Sequence, residues 1–86
     1  MSFRVPSQVL LDDAAALLRQ GLAAIAAGEQ LIDLADVTTS DSSLVACLLA
    51  WRRAAQSRGV ALSVGNPPER VRGLAALYGV EQIALG

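Results

Sequence analysis

Between Leu31 and Leu49 the chain passes from an apolar segment through a polar loop into a second apolar segment. Gln30 to Leu34 is too short for a helix and apolar enough for a buried parallel strand. The loop from Asp36 to Ser43 carries hydroxyls at Thr38, Thr39, Ser40, Ser42 and Ser43 and acids at Asp36 and Asp41. Eight consecutive apolar residues follow, Leu44 to Trp51. Ser, Thr and Asp are preferred at helix starts, so the spacing predicts a helix from about Asp41 to Ser57 or Arg58, with Gly59 at its end. A loop of this kind sets hydroxyls and free backbone N–H groups at a positive helix end, where a phosphate or a partner's polar group is readily accepted. Capping alone needs one such residue, and this loop supplies several.

The same alternation extends through the chain. Phe3-Arg4-Val5 reads as a short strand, Pro6-Ser7 as a turn or bulge, and Gln8 to Leu11 as its continuation or as the approach to a helix. That helix is expected to be capped by Asp12 or Asp13 and to stop at Gly28, with Ala14, Ala15, Leu18, Leu22 and Ile25 as its apolar stripe. Val60 to Val64 reads as a further strand. Asn66 then suits a cap, Pro67 the first helical position and Glu69 a capping box, opening a third helix that ends at Gly79. Val80 to Leu85 is expected to close the chain as a short strand or extended tail. The order β-α-β-α-β-α-β with short connections predicts an α/β fold, a small mainly parallel sheet packed with α-helices. Sites on such sheets favour the carboxyl ends of strands, where the Asp36 to Ser43 loop falls.

A helix packed on a sheet needs one apolar stripe, not an apolar circumference. Leu44, Leu48, Trp51 and Ala55 share one face of the second helix, while Val45, Leu49 and Arg52 share the next. Either neighbouring helices cover the second edge, or it faces outward as a docking surface beside the serine loop. Arg52, Arg53 and Arg58 read as that helix's solvated face, and Arg70 and Arg72 read similarly on the third.

Composition removes several function classes. There is no histidine, no lysine and one cysteine, so no imidazole base, no disulfide within the chain and no zinc cluster of the usual kind is available. Seven arginines against eight acids give a net charge of −1, with no basic stripe for nucleic acid. A nucleotide site lacks its Walker glycine-lysine motif, and Asp33, Asp36 and Asp41 have no nucleophile–base pair to complete a catalytic site. Neither a cofactor nor a metal is expected. The N-terminal residues do not form a signal peptide and Ala14 to Ala27 is too short to span a bilayer, so a cytoplasmic protein without direct membrane insertion is expected. At 53% hydrophobic and 86 residues, so small a chain keeps apolar surface outside, which favours life against a partner.

The strand ending in Asp33-Leu34, the loop, and Asp41-Ser42-Ser43 at a helix start resemble the signature of the STAS domain. That fold is used by anti-sigma-factor antagonists and by a subunit of some ABC transporters. The resemblance spans Phe3 to about Leu85, and residues 1–86 are read as one STAS-like domain with a shortened N-terminal strand region. The alanine-rich first helix, Leu48-Leu49-x-Trp51-Arg52-Arg53-Ala54 and Leu77-Tyr78-Gly79-Val80 are most similar to the MlaB-like branch. That branch implies a non-enzymatic cytoplasmic subunit bound to the ATPase of the Mla transporter, which moves phospholipid between Gram-negative membranes and supports outer-membrane lipid asymmetry. The protein would then be membrane-associated through the transporter complex. The alternative is an anti-sigma-factor antagonist bound by a serine kinase.

By the same resemblance Ser42 is the phosphoacceptor or partner-contact residue. Thr39, Ser40, Asp41, Ser43, Leu44 and Val45 form the expected partner interface around it. Leu44 stands where the family usually has Gly, which crowds the helix start.

Overall fold

The structure, a computed structural model, describes residues 2–86. In chain order the elements are β1 (Phe3–Arg4), β2 (Gln8–Val9), α1 (Leu11–Ala26), β3 (Leu31–Asp33), β4 (Thr39–Ser40), α2 (Ser42–Ser57), β5 (Ser63–Gly65), α3 (Glu69–Leu77) and α4 (Glu81–Leu85). β3 lies between β1 and β5 in a parallel sheet, and β2 pairs with β4, also in parallel. In register, Ile32 stands beside Phe3 and Val64, while Val9 stands beside Ser40. The α/β expectation holds.

Glycine closes both long helices. Gly28 and Gly59 take φ of 103° and 70°, a left-handed conformation open to glycine without steric cost. Beyond each, the chain returns a hydrogen bond to the last turn, from Glu29 N–H to the Ala24 carbonyl and from Val60 N–H to the Ala55 carbonyl. These bonds satisfy carbonyls that the helix leaves over.

The core centres on α2, which packs against α1, α3 and α4. Trp51 is fully buried. Its indole N–H donates to the Leu18 carbonyl at 3.1 Å, and its ring meets Phe3 edge-on with centroids 5.7 Å apart. Gly21 makes this fit possible, because a Cβ there would overlap the indole. The buried face of α1 is therefore Leu17, Gly21 and Ile25, and Leu22 of the expected stripe is exposed instead. The question of the two edges of α2 is also answered. Leu44, Leu48, Trp51, Ala55 and also Val45 are buried, so the surrounding helices cover both faces and no outward apolar edge remains at Val45.

Other expectations are corrected. The segment expected as a strand or tail is helical over Glu81–Leu85, α4, because Ala84 returns a hydrogen bond to Val80 and packs into the core. β5 begins at Ser63, later than Val60. α1 is flanked by Leu10, and Asp13 reaches back to accept the Leu10 N–H at 3.0 Å. Asn66 adopts a φ of 54° and donates to Asp33, leaving Pro68 as the residue before α3. Thr39 and Ser40, expected in a loop, form a strand.

Candidate functional site

β4 delivers the chain into α2 through Asp41, whose extended backbone makes it the N-cap. One oxygen of its carboxylate accepts the Ser43 N–H at 2.9 Å and the Ser43 hydroxyl. The other accepts the N–H of Leu11, the first residue of α1, at 3.1 Å. A single acid thus satisfies orphan donors at the starts of two helices, which helix geometry otherwise leaves to solvent. The Ser43 hydroxyl, then the Ser43 and Leu11 amides, hold the Asp41 carboxyl below the usual carboxylate range, and the charge of Arg70 adds to this.

Ser42 occupies the first position of α2 and is exposed. None of the side-chain hydrogen bonds among the described residues uses its hydroxyl; the bonds at this corner belong to its two neighbours. Beside it runs an open groove of about 480 Å³ between α1 and α2. Leu11, Ala14 and Leu18 line one side, Ala46 and Cys47 the other, and Asp41, Ser42 and Ser43 form its polar rim. Alanines at Ala14, Ala15 and Ala46 leave the space that larger side chains would fill. Leu11, 74% exposed, stands at the mouth. Leu11 is not among the expected interface residues, and only its place just before Asp12 and Asp13 marks it in the sequence.

The remaining expected interface residues separate into two groups. Thr39 is exposed like Ser42, and Ser43 is partly so. Ser40, Leu44 and Val45 are buried, at 4%, 0% and 3% exposure, so their side chains support the corner from within and offer no open surface. Leu44 packs in the core cluster, which is how a leucine is accommodated in the first turn of α2. Cys47 lies at the groove with its thiol donating to the Ala14 carbonyl at 3.7 Å, and burial pushes the thiol pKa up. It is a packing residue, not a nucleophile.

The acids upstream serve the backbone and the surface. Asp33 accepts the Ala35 N–H and the Asn66 amide, which hold its carboxyl low. Asp36 pairs with Arg4 through two hydrogen bonds at 2.9 and 3.1 Å, at an exposed site. Two arginines expected on solvated faces also bind backbone, Arg52 from a half-buried position and Arg70 from an exposed one. Arg52 donates to the carbonyls of Ala84, Leu62 and Gly86, and Arg70 donates to the Ser40 carbonyl at 2.9 Å. Among the described residues no group of three or more His, Cys, Asp or Glu is placed to hold a metal ion. No helix among them is long and apolar enough to cross a membrane.

A short parallel sheet, a hydroxyl on the first turn of the helix in its second crossover, and an apolar groove beside that hydroxyl define a small α/β domain of the STAS type. The family described as "Mlab, STAS domain" matches residues 3–85, and the chain belongs to the STAS family. The comparison with curated proteins finds no match.

Proposed function

We propose that this protein is a non-catalytic STAS subunit that docks onto the ATPase of an Mla-type phospholipid ABC transporter, with Ser42 at the contact. The observation that carries this reading is the exposed, uncommitted Ser42 hydroxyl at the rim of an apolar groove, in a chain of the Mlab STAS family. Partner surfaces commonly join an apolar centre to a polar rim, and the groove offers both within one helix turn. Asp41 and Ser43 complete the polar side and Leu11 the apolar side, with the exposed Thr39 just before them in the chain. Localisation follows from the partner: the subunit sits at the inner face of the membrane through the transporter, without inserting.

The same hydroxyl supports a second reading, an anti-sigma-factor antagonist. An exposed serine on the first helical turn is open to a kinase, and a phosphate there would add roughly −1.5 to −2 charge. The positive helix end tolerates that charge, while a partner packed on the neutral hydroxyl would be repelled. Gentle purification of the tagged protein from its host, with mass spectrometry of what accompanies it, separates the two. A stoichiometric ABC ATPase and permease are expected. A serine kinase in their place would transfer the assignment to the second reading.

A further inference from the structure

β4 pairs with β2 along one edge only. The bonds to that edge use the N–H groups of Thr39 and Asp41, which reach the Ser7 and Val9 carbonyls. Ser40, between them, turns its own backbone groups the other way, toward the open edge. Its side chain is buried, and a carbonyl left unpaired in such a place is costly. The partner that meets it comes from α3: the Arg70 Nε–H, at 2.9 Å and partly buried, across thirty residues of sequence. The next residue along, Asp41, carries the starts of α1 and α2 on its carboxylate.

We propose that Arg70 is a positioning residue for the Asp41–Ser42–Ser43 corner. From α3 it holds the Ser40 carbonyl, and through that peptide it fixes how Asp41 grips the two helix starts and how Ser42 faces the groove. Three helices are thereby tied to one two-residue stretch of chain. The guanidinium acts as a charged donor, which gives a stronger hold than a neutral side chain would. Its charge also favours the ionised Asp41 that the grip requires. The positioning stands on this geometry; only the identity of the docked partner rests on the transporter reading.

The test compares Arg70→Met, which keeps the length of the side chain and loses its donors, with Arg70→Lys, which keeps a charged donor. NMR follows the titration of the Asp41 carboxyl and the hydrogen exchange of the Leu11 and Ser43 amides, and calorimetry follows affinity for the host's Mla-type ATPase. In Arg70→Met the Asp41 carboxyl should titrate at higher pH than in the wild type. The Leu11 and Ser43 amides should exchange roughly tenfold faster while those of β3 keep their rates, because the loosening is local. ATPase affinity should fall together with these changes, and Arg70→Lys should recover part of all three. An unchanged corner, or equal acceleration through β3, would overturn the proposal, the second by reducing Arg70 to a general stabiliser. So would a loosened corner with wild-type affinity. A loosened corner in a protein whose wild type never binds the ATPase would sink the transporter reading and leave the positioning role standing.

Discussion

The first turn of α2 and its third turn lie on one helix and use polar groups in opposite ways. At the third turn Trp51 and Arg52 commit their donors to backbone carbonyls. The indole meets the Leu18 carbonyl, and the guanidinium meets carbonyls from β5's approach and from both α4 and the residue after it. Burial lowers the Arg52 pKa without leaving its donors idle. At the first turn Asp41 and Ser43 are similarly committed, but Ser42 between them is not. Under the proposed function, this contrast marks the contact. Polar groups consumed by the fold cannot be offered to a partner, and at the end of α2 where a groove opens the Ser42 hydroxyl is left uncommitted.

Breaking the inward end should have the largest effect. Trp51→Ala removes a fully buried ring and should cost about 3–5 kcal/mol, a large share of the stability of a domain this size. Urea unfolding would show it, and a loss under 1 kcal/mol would contradict the assignment of Trp51 as the core's anchor. Arg52→Met should come next. Loss of charged hydrogen bonds to three carbonyls should cost roughly 2 kcal/mol, with α4 amides exchanging faster than those of α1. Equal acceleration in both helices would show that Arg52 does not act as a local clamp.

The outward end should respond less in stability and more in binding. Asp41→Ala removes an N-cap shared by two helices and should lower Tm by roughly 5 °C. Its depressed pKa gives the pH dependence a sign. The stabilisation is complete above the ordinary carboxylate value, about 3.9, and is lost as pH falls through the lower folded value. Thermal melts between pH 2 and 5 should therefore converge for wild type and Asp41→Ala at the acid end. Curves that stay parallel throughout would remove Asp41 from the acid response.

Much of this division was legible from sequence. Gly28 and Gly59 marked where both long helices stop, the apolar Leu31-Ile32 pair marked the central strand, and Asp41-Ser42-Ser43 marked the corner and the family. Several misses share a cause: they depend on contacts distant in sequence. Thr39–Ser40 is a strand only because Gln8–Val9 lies beside it. Arg52 and Arg70 look like solvated charges until carbonyls more than two dozen residues away close on them. α4 was unreadable because the six residues Val80 to Leu85 carry no period long enough to separate helix from strand. At the start of α1, aspartates at successive positions obscured which would bond back, and Asp13 does so from inside the helix. Within the site itself, hydroxyl content alone could not rank its members; burial separates the supporting Ser40, Leu44 and Val45 from the exposed Ser42.

The smallest effect on the fold should accompany the largest effect on docking. Ser42→Glu places a negative charge at the positive end of α2, where the fold tolerates it. The measurement is the affinity of Ser42→Glu for the host's Mla-type ATPase, taken with its melting temperature against the wild type. A Tm within a few degrees of wild type and a binding loss of roughly tenfold or more are predicted. Wild-type affinity, or a fall in Tm that matches the fall in binding, would contradict the claim that Ser42 is the residue the fold leaves for its partner.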